Sequence, residues 1–139
     1  MSDPASGAVV CFGEMLLRLS PPGARMILQA QALDMTVGGA EANVAAGLAS
    51  LGHTARMVTL LPDSPLGDKA RADLGAAGID TRHVARGPGR MGLYFLEPGA
   101  GLRPSSITYD RAGSAFALSG ANAFDFASAL EGAALLHLS

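Results

Sequence analysis

The sequence predicts an α/β fold, in which the strands of a parallel sheet alternate with helices. The first observation is the apolar run Ala8–Phe12, whose length and lack of alternation are typical of a strand buried on both faces. The second is a pair of later segments with apolar residues at helical spacing, separated by another apolar strand candidate. The third is composition: 49% of the 139 residues are hydrophobic and 16% are charged, which disfavours disorder and suits one domain at most.

The segment after the first strand divides into two short extended pieces and a helix. Leu16–Ser20 alternates weakly and stops at a Pro-Pro-Gly breaker, and residues 26–33 predict a second short strand. The glycine pair Gly38 and Gly39 then precedes a predicted helix over residues 40–51. The helix is expected to bury the face that carries Ala40, Val44, Leu48 and Leu51.

The next segments repeat the order of strand and helix and then change character. Ala55–Leu61 predicts a buried strand, and Ser64 followed by Pro65 predicts the cap and first turn of a helix. Met91–Glu97 and Ile107–Arg111, joined by a Gly/Pro-rich loop, predict a hairpin in a small sheet apart from the main one. The other expectations are a buried stripe on the second helix (Leu66, Ala70, Leu74, Ala77), a short helix near residues 126–130 and a strand over residues 133–139.

Charge and composition exclude several classes of function. Ten basic and twelve acidic residues give a formal charge of −2, so nothing favours binding to nucleic acid. The apolar runs are far too short to span a membrane, and Met1–Gly7 lacks the pattern of a signal peptide. The single cysteine, Cys11, and the widely spaced histidines predict neither an internal disulfide nor a zinc site. We therefore expect a cytoplasmic protein without a metal site in this chain.

Two glycine motifs deserve different interpretations. The stretch Gly87–Gly92 fits G-x-G-x-x-G, but it precedes a predicted strand and contains a proline, so it predicts a turn rather than a dinucleotide site. Gly38 and Gly39 stand directly before a helix, where backbone N–H groups are free to donate, and Asn43 lies one turn further on. This group suits a sugar hydroxyl or a carboxylate, while a glycine-rich turn with an exposed asparagine remains the alternative.

Four motifs in the same order resemble those of the PfkB, or ribokinase-like, carbohydrate kinases. They are Gly-Gly-Ala-Glu-Ala-Asn-Val-Ala from Gly38, Leu-Ala-Ser-Leu-Gly from Leu48, Pro-Asp-Ser-Pro-Leu-Gly-Asp from Pro62 and Leu-Gly-Ala-Ala-Gly-Ile-Asp-Thr from Leu74. The resemblance extends from Val9 to Ser139. It implies a ribokinase-like three-layer α/β/α fold, of which residues 1–139 would be the N-terminal part, with a small β-sheet lid formed by strands from about 15–36 and 90–112.

Within this family, Gly92–Phe95 and Thr108–Ala115 are similar to the lid of the 2-keto-3-deoxygluconate kinases. The resemblance implies a substrate-binding set, and Gly13-Glu14 stands where many members carry a sugar-binding aspartate. An arginine in the lid suits an acid sugar, because a guanidinium holds a carboxylate with two hydrogen bonds. The implied substrate-binding residues are Gly38, Gly39, Asn43, Tyr94, Tyr109 and Arg111.

The resemblance also implies transfer of the γ-phosphate of ATP, with Mg²⁺, to the sugar by the full-length protein. The family's Gly-Ala-Gly-Asp signature, which supplies the base and the phosphate site, does not occur in these 139 residues. We therefore expect an N-terminal fragment that binds the sugar but is inactive alone, and that self-associates through the lid sheet. Two alternatives remain: a kinase of a neutral sugar or a nucleoside, and a non-catalytic binding or dimerisation module.

Overall fold

The computed structural model describes residues 6–139. Residues 1–5, on which the prediction about a signal peptide partly rests, lie outside the described part of the chain. Short 3-10 turns occur at Ile27–Gln29 and Ala121–Ala123. The longer elements, in chain order, are β1 (Ala8–Phe12), β2 (Leu16–Ser20), β3 (Asp34–Gly38), α1 (Ala40–Ser50), β4 (Ala55–Pro62), α2 (Pro65–Ala76), β5 (Val84–Gly87), β6 (Gly92–Glu97), β7 (Ser106–Asp110), α3 (Ala115–Leu118), α4 (Phe126–Ala129) and β8 (Ala133–His137).

The main sheet has four parallel strands in the order β5-β4-β1-β8, so the predicted α/β class is confirmed. Helices cover both faces, which gives three layers. On one face, alanines of α1 and α2 pack with Cys11, Met57 and Leu61 of the sheet. On the other face, Val10 and Val58 pack against α4 and a cluster of phenylalanines, Phe12, Phe124 and Phe126.

The predicted small sheet forms a lid of four strands in the order β3-β2-β6-β7. The pairs β2–β3 and β6–β7 are antiparallel, and the central pair β2–β6 is parallel. Alternation gives the lid two different faces. One face carries a row formed by Val37, Leu17 and Leu93, which packs on the main core. The other face carries the row Thr36, Arg18, Tyr94 and Tyr109.

The predicted buried face of α1 was wrong. Val44 is 38% exposed and Leu51 77% exposed, whereas Ala42 and Ala45 are buried. The apolar residues that α1 buries are small, and Glu41, which is also buried, lines the cleft between the lid and the main sheet. Leu48 is partly buried at the margin of the core. The larger apolar residues of α1 therefore do not mark its buried face, although such residues usually do so in an amphipathic helix.

The extended segment predicted for residues 26–33 was also wrong. The chain there forms the 3-10 turn Ile27–Gln29, and the strand begins only at Asp34. The backbone N–H groups at the turn donate to side chains instead of a neighbouring strand: that of Met26 to Gln29 Oε1 (3.2 Å) and that of Ile27 to Glu97 Oε1 (2.6 Å). Since most of the true strand is exposed, it lacks the apolar alternation that would have identified it.

The second helix and its surroundings follow the prediction in part. Ser64 caps α2 and accepts a hydrogen bond from the N–H of Gly67, as predicted. Of the predicted stripe, Ala70 and Leu74 are buried, but Leu66 and Ala77 are exposed. Gly67 takes the inward position, where a Cβ would lie 2.0 Å from the Pro62 carbonyl oxygen. The short strand β5 and helix α3 were not predicted.

An ion-pair cluster lies where α2 leads into β5. Asp80 Oδ2 lies 2.6 Å from Arg82 Nη2 and 3.5 Å from Arg56 Nε. Hydrogen bonds from Arg82 lower the pKa of Asp80 to about 2, against the partial burial that raises it. Arg56 also donates to the carbonyl oxygens of Ala129 and Glu131, so it connects β4 to the chain leading into β8. None of the described helices has the length and apolarity needed to cross a membrane.

Candidate functional site

A cleft of about 530 Å³ opens between the lid and the carboxyl edge of the main sheet. The segment after β1 forms its floor, together with the residues that follow β8. The start of α1 forms one wall, and the polar face of the lid forms the roof. The residues that line it are Phe12, Gly13, Glu14, Leu16, Gly39, Ala40, Glu41, Asn43, Tyr94, Ile107, Tyr109, Arg111, Phe116, Leu138 and Ser139.

The glycine pair allows two close approaches at the start of α1. Gly39 is the N-cap residue, with a φ of 151° that side chains disfavour, and a Cβ there would lie 2.7 Å from the carbonyl oxygen of Glu14. A Cβ on Gly38 would lie 2.8 Å from the hydroxyl oxygen of Tyr94. Because neither residue has a side chain, the lid can pack closely against the start of α1. The backbone N–H groups of the first turn, which have no partner in the preceding turn of the helix, thereby adjoin the cleft, and Asn43 lines it beside them.

Two tyrosines and an arginine of the lid form the opposite wall. The rings of Tyr94 and Tyr109 lie 5.9 Å apart between centroids and are tilted by 38°. The guanidinium carbon of Arg111 lies 5.9 Å from the centroid of the Tyr109 ring, within the range of a cation–π contact. The Arg111 side chain is 52% exposed, so its remaining donors face the cleft and solvent. These groups suit a small polyol that carries a negative charge.

Glu14 connects this wall to the floor. Its side chain is 7% exposed, and Oε2 lies 3.1 Å from Nε of Arg111. The other oxygen, Oε1, accepts a hydrogen bond of 2.6 Å from the hydroxyl of Ser114, which is buried. Ser114 Oγ accepts in turn from the N–H of Ala117 as the cap of α3. One carboxylate therefore fixes both the lid arginine and the segment that leaves the lid.

Glu41 is a second buried carboxylate at the floor of the cleft. Its Oε1 accepts hydrogen bonds from the hydroxyl (2.5 Å) and the backbone N–H (3.1 Å) of Ser139. Burial raises the pKa of Glu41, but these hydrogen bonds outweigh it, so the net pKa lies below its ordinary value. A Cβ on Gly13 would lie 2.2 Å from Oε2, so glycine is required where the carboxylate rests. Burial, with a smaller effect of the same negative charge, raises the pKa of the Cys11 thiol.

Of the residues predicted for the site, Gly39, Asn43, Tyr94, Tyr109 and Arg111 line the cleft together. Gly38 is not part of the lining but adjoins Tyr94, as described above. The residues at or beside the cleft that the sequence analysis did not assign to the site include Glu41, Ser114 and Arg18.

Glu41 and Ser114 lie within the motifs quoted above, but their roles could not be predicted from them, because each contacts a group about a hundred residues away along the chain. Arg18 lies beside Tyr94 on the polar face of the lid, with Nε donating 3.0 Å to Thr36 Oγ1. If the pairing of β2 with β6 had been predicted, it would have placed Arg18 beside Tyr94.

Within residues 6–139, no three side chains of His, Cys, Asp or Glu lie close enough together to hold a metal ion. The glycine-rich stretch Gly87–Gly92 joins β5 to β6, so it does not open a helix whose N-terminus would bind phosphate. The tyrosines, the guanidinium and the helix start that line the cleft suit the binding and orientation of a small polar molecule.

Comparison with known proteins agrees with this geometry. Residues 7–139 match the family model described as pfkB family carbohydrate kinase. The 2-dehydro-3-deoxygalactonokinase of Haloferax volcanii is 39% identical over 107 residues, which is 77% of this chain and 34% of that protein. The structure of 2-dehydro-3-deoxygluconokinase from Thermotoga maritima is 50% identical, with a TM-score of 0.92 over 94% of this chain and 40% of that one. Fructokinase of Xylella fastidiosa with bound ATP is 28% identical, with a TM-score of 0.78 over 95% and 38%.

The chain thus spans about a third of the curated relative and about two fifths of each of the two structures. Over that span its fold agrees with both structures, and the family match covers the main sheet, the lid and the cleft between them. The chain belongs to the pfkB family of carbohydrate kinases.

Proposed function

We propose that the whole protein phosphorylates a 2-keto-3-deoxy sugar acid, and that this chain supplies its sugar-binding part and lid. The observation that carries the proposal is the position of Arg111, half-exposed on the cleft wall beside Tyr109 and opposite the start of α1. A guanidinium there can take the carboxylate of an acid sugar, while the helix terminus and Asn43 bind its hydroxyls. The two relatives named above as kinases of such sugars support the same choice.

The test is a comparison of ligands by thermal shift on the purified whole protein. Ketodeoxygluconate and ketodeoxygalactonate are compared with fructose and ribose at equal concentration, since a ligand raises Tm according to its affinity for the folded state. We expect the acid sugars to raise Tm and the neutral sugars to have a smaller effect. A larger shift with fructose or ribose contradicts the proposal.

A kinase of a neutral sugar is the second candidate, and the charges of the cleft favour it. The described lining residues include two carboxylates, Glu14 and Glu41, and one guanidinium, Arg111. The guanidinium is already paired with Glu14. A neutral substrate would require no further cation, and a fructokinase has the same fold over 95% of this chain. The ligand comparison above separates the two candidates.

We place the groups that hold ATP and Mg²⁺ outside these 139 residues. ATP with Mg²⁺ supplies the phosphoryl group when it is bound, and no described residue is assigned to it. The tasks of this chain are to bind the sugar, to orient it and to cover it with the lid. In this proposal the 139-residue chain alone binds the sugar but shows no ATP-dependent turnover, and activity above a buffer control with that chain would contradict it.

We also propose that the lid pairs with the lid of a second copy of the protein. Strand β3 lies at the lid's edge with Met35 40% exposed, and an exposed strand edge usually pairs or is covered. Ile107 on the other edge strand is 51% exposed. Sedimentation of the whole protein should show a dimer, and a monomer at high micromolar concentration argues against pairing.

We also propose a cytoplasmic location for the protein, since the sequence carries a single cysteine.

A binding or dimerisation module without catalysis is the third candidate. It requires that the whole protein self-associates and binds sugar but transfers no phosphate. A kinase assay on the whole protein with ATP, Mg²⁺ and the sugar that raises Tm most distinguishes it from both kinases, because only a module gives binding without turnover.

A further inference from the structure

The carboxylate of Glu14 contacts Arg111 at one particular edge of the guanidinium. Oε2 lies 3.1 Å from Nε, the donor nearest the side-chain stem. The Arg111 side chain lines the cleft and is 52% exposed, which leaves room at the guanidinium for a ligand. A contact at Nε restricts rotation of the planar guanidinium and leaves the outer donors for a ligand.

The carboxylate is itself held in place. Its second oxygen accepts 2.6 Å from Ser114, which is 1% exposed, and its own side chain is 7% exposed. Gly92 provides the space, because a Cβ at that position would lie 2.8 Å from Glu14 Oε1 and 3.3 Å from Cβ of Arg111. Glu14 is thus held between the floor and the lid, whereas about half of the Arg111 side chain is exposed.

Electrostatics and positioning give opposite expectations for such a residue. As a negative charge beside Arg111, Glu14 competes with the carboxylate of an acid sugar, so removing its charge would strengthen capture. As an acceptor that orients the guanidinium, it saves the cost of ordering a flexible arginine when the ligand binds, so removing the acceptor would weaken capture. A substitution that removes the charge but keeps the acceptor separates the two effects.

We propose that Glu14 is a positioning residue for substrate recognition, which holds Arg111 by Nε so that Nη1 and Nη2 face the carboxylate of the sugar. The inference rests on the proposed function for the identity of the ligand, but the contact between Glu14 and Arg111 is independent of that function. Glu14 acts through Arg111 and is given no part in the chemical step.

The test compares Glu14→Gln with Glu14→Ala in the whole protein. The glutamine keeps an oxygen that can face Arg111 and gains an amide that can donate to Ser114, but it carries no charge. We expect Glu14→Gln to match or exceed the wild-type kcat/KM for ketodeoxygluconate. Glu14→Ala should lower it about tenfold, mainly through KM, which is the size of one charge-assisted hydrogen bond. The loss for fructose should be smaller.

Further variants show whether the effect passes through Arg111. In an Arg111→Ala background, Glu14→Ala should cause no additional loss, because the group that it positions is gone. The proposal is overturned if the losses of the two single variants multiply in the double variant. It is also overturned if both Glu14 variants gain activity, if Glu14→Ala leaves kcat/KM unchanged, or if the losses for acid and neutral sugars are equal. The Tm of Glu14→Gln verifies that the comparison uses a folded protein.

A substrate-independent measurement keeps the inference testable if the proposed function fails. The ¹⁵N-detected Nε–Hε signal of Arg111 should move towards that of free arginine and exchange with water at least tenfold faster in Glu14→Ala. It should stay close to the wild-type signal in Glu14→Gln. An unchanged signal in both variants overturns the positioning role, whatever the sugar. A lack of preference for acid sugars in the wild type, with the signal moving as described, overturns only the proposed function.

Discussion

Arg111→Ala is the substitution that most directly tests how the cleft selects its ligand. A charge-assisted hydrogen bond contributes about 1.5–3 kcal/mol. The Arg111 side chain is 52% exposed, so solvent screening places the contribution near the lower limit. About 1.4 kcal/mol corresponds to a factor of ten, so we expect kcat/KM for ketodeoxygluconate to fall about tenfold. The value for fructose should change much less, and the informative quantity is the ratio of the two.

The substitution also has a cost in stability that must be separated from recognition. Without Arg111, the carboxylate of Glu14 keeps only the hydrogen bond from Ser114, which predicts a loss of about 1–3 kcal/mol in the free energy of unfolding. Arg90→Ala is the matched control, because Arg90 forms a lid ion pair of 2.8 Å with Asp110 and does not line the cleft.

The control should lower Tm without changing the ratio of the two kcat/KM values. If Arg111→Ala reduces both values by the same factor, the arginine maintains the lid rather than choosing the ligand. If neither value changes, the sugar carboxylate is bound elsewhere and the reasoning is refuted.

Two further predictions concern stability. The pKa of Asp80 is about 2 in the folded protein, below its ordinary 3.8, so its contribution is fully present above about pH 4 and is lost as pH falls through 2. Urea titrations between pH 2 and 5 should show a decrease of about 1–2 kcal/mol that is absent in Asp80→Asn; an identical pH profile for the variant contradicts this. Gly13→Ala should lower Tm because its Cβ would lie 2.2 Å from Glu41, whereas Gly47→Ala, with open space around it, should raise Tm slightly. Equal effects of the two alanines would show that the Glu41 carboxylate does not occupy that space.

The sequence indicates the α/β class and the two main helices because their signals are local. The apolar run of β1, the cap at Ser64 and the glycines that end each helix act within a few residues. The position of β3 and the inward face of α1 depend instead on what lies opposite. An exposed edge strand needs no apolar alternation, and a helix of small residues buries alanine in preference to valine when it lies close to a sheet.

The candidate site divides in the same way. Gly38, Gly39 and Asn43 form one motif, so a single stretch of sequence predicts that they lie together. The contacts of Glu14 and Glu41 could not be predicted because their partners follow about a hundred residues later. No periodicity or composition connects positions so far apart. Only the closing of the sheet, with β8 beside β1, brings Ser139 to Glu41.

The lid consists of two hairpins whose strands meet at the parallel pair of β2 with β6. The second hairpin and the residue that follows it carry Tyr94, Tyr109 and Arg111, while the first hairpin supplies the platform. Under the proposed function, ligand preference would therefore be concentrated in one short contiguous stretch that can be exchanged as a unit. Grafting residues 91–111 from a fructokinase would retain the helix terminus and the main sheet, and would leave Glu14 facing whichever residue replaced its arginine. In a protein of this architecture, a new specificity can arise by replacing one hairpin, with compensation at a single position outside it.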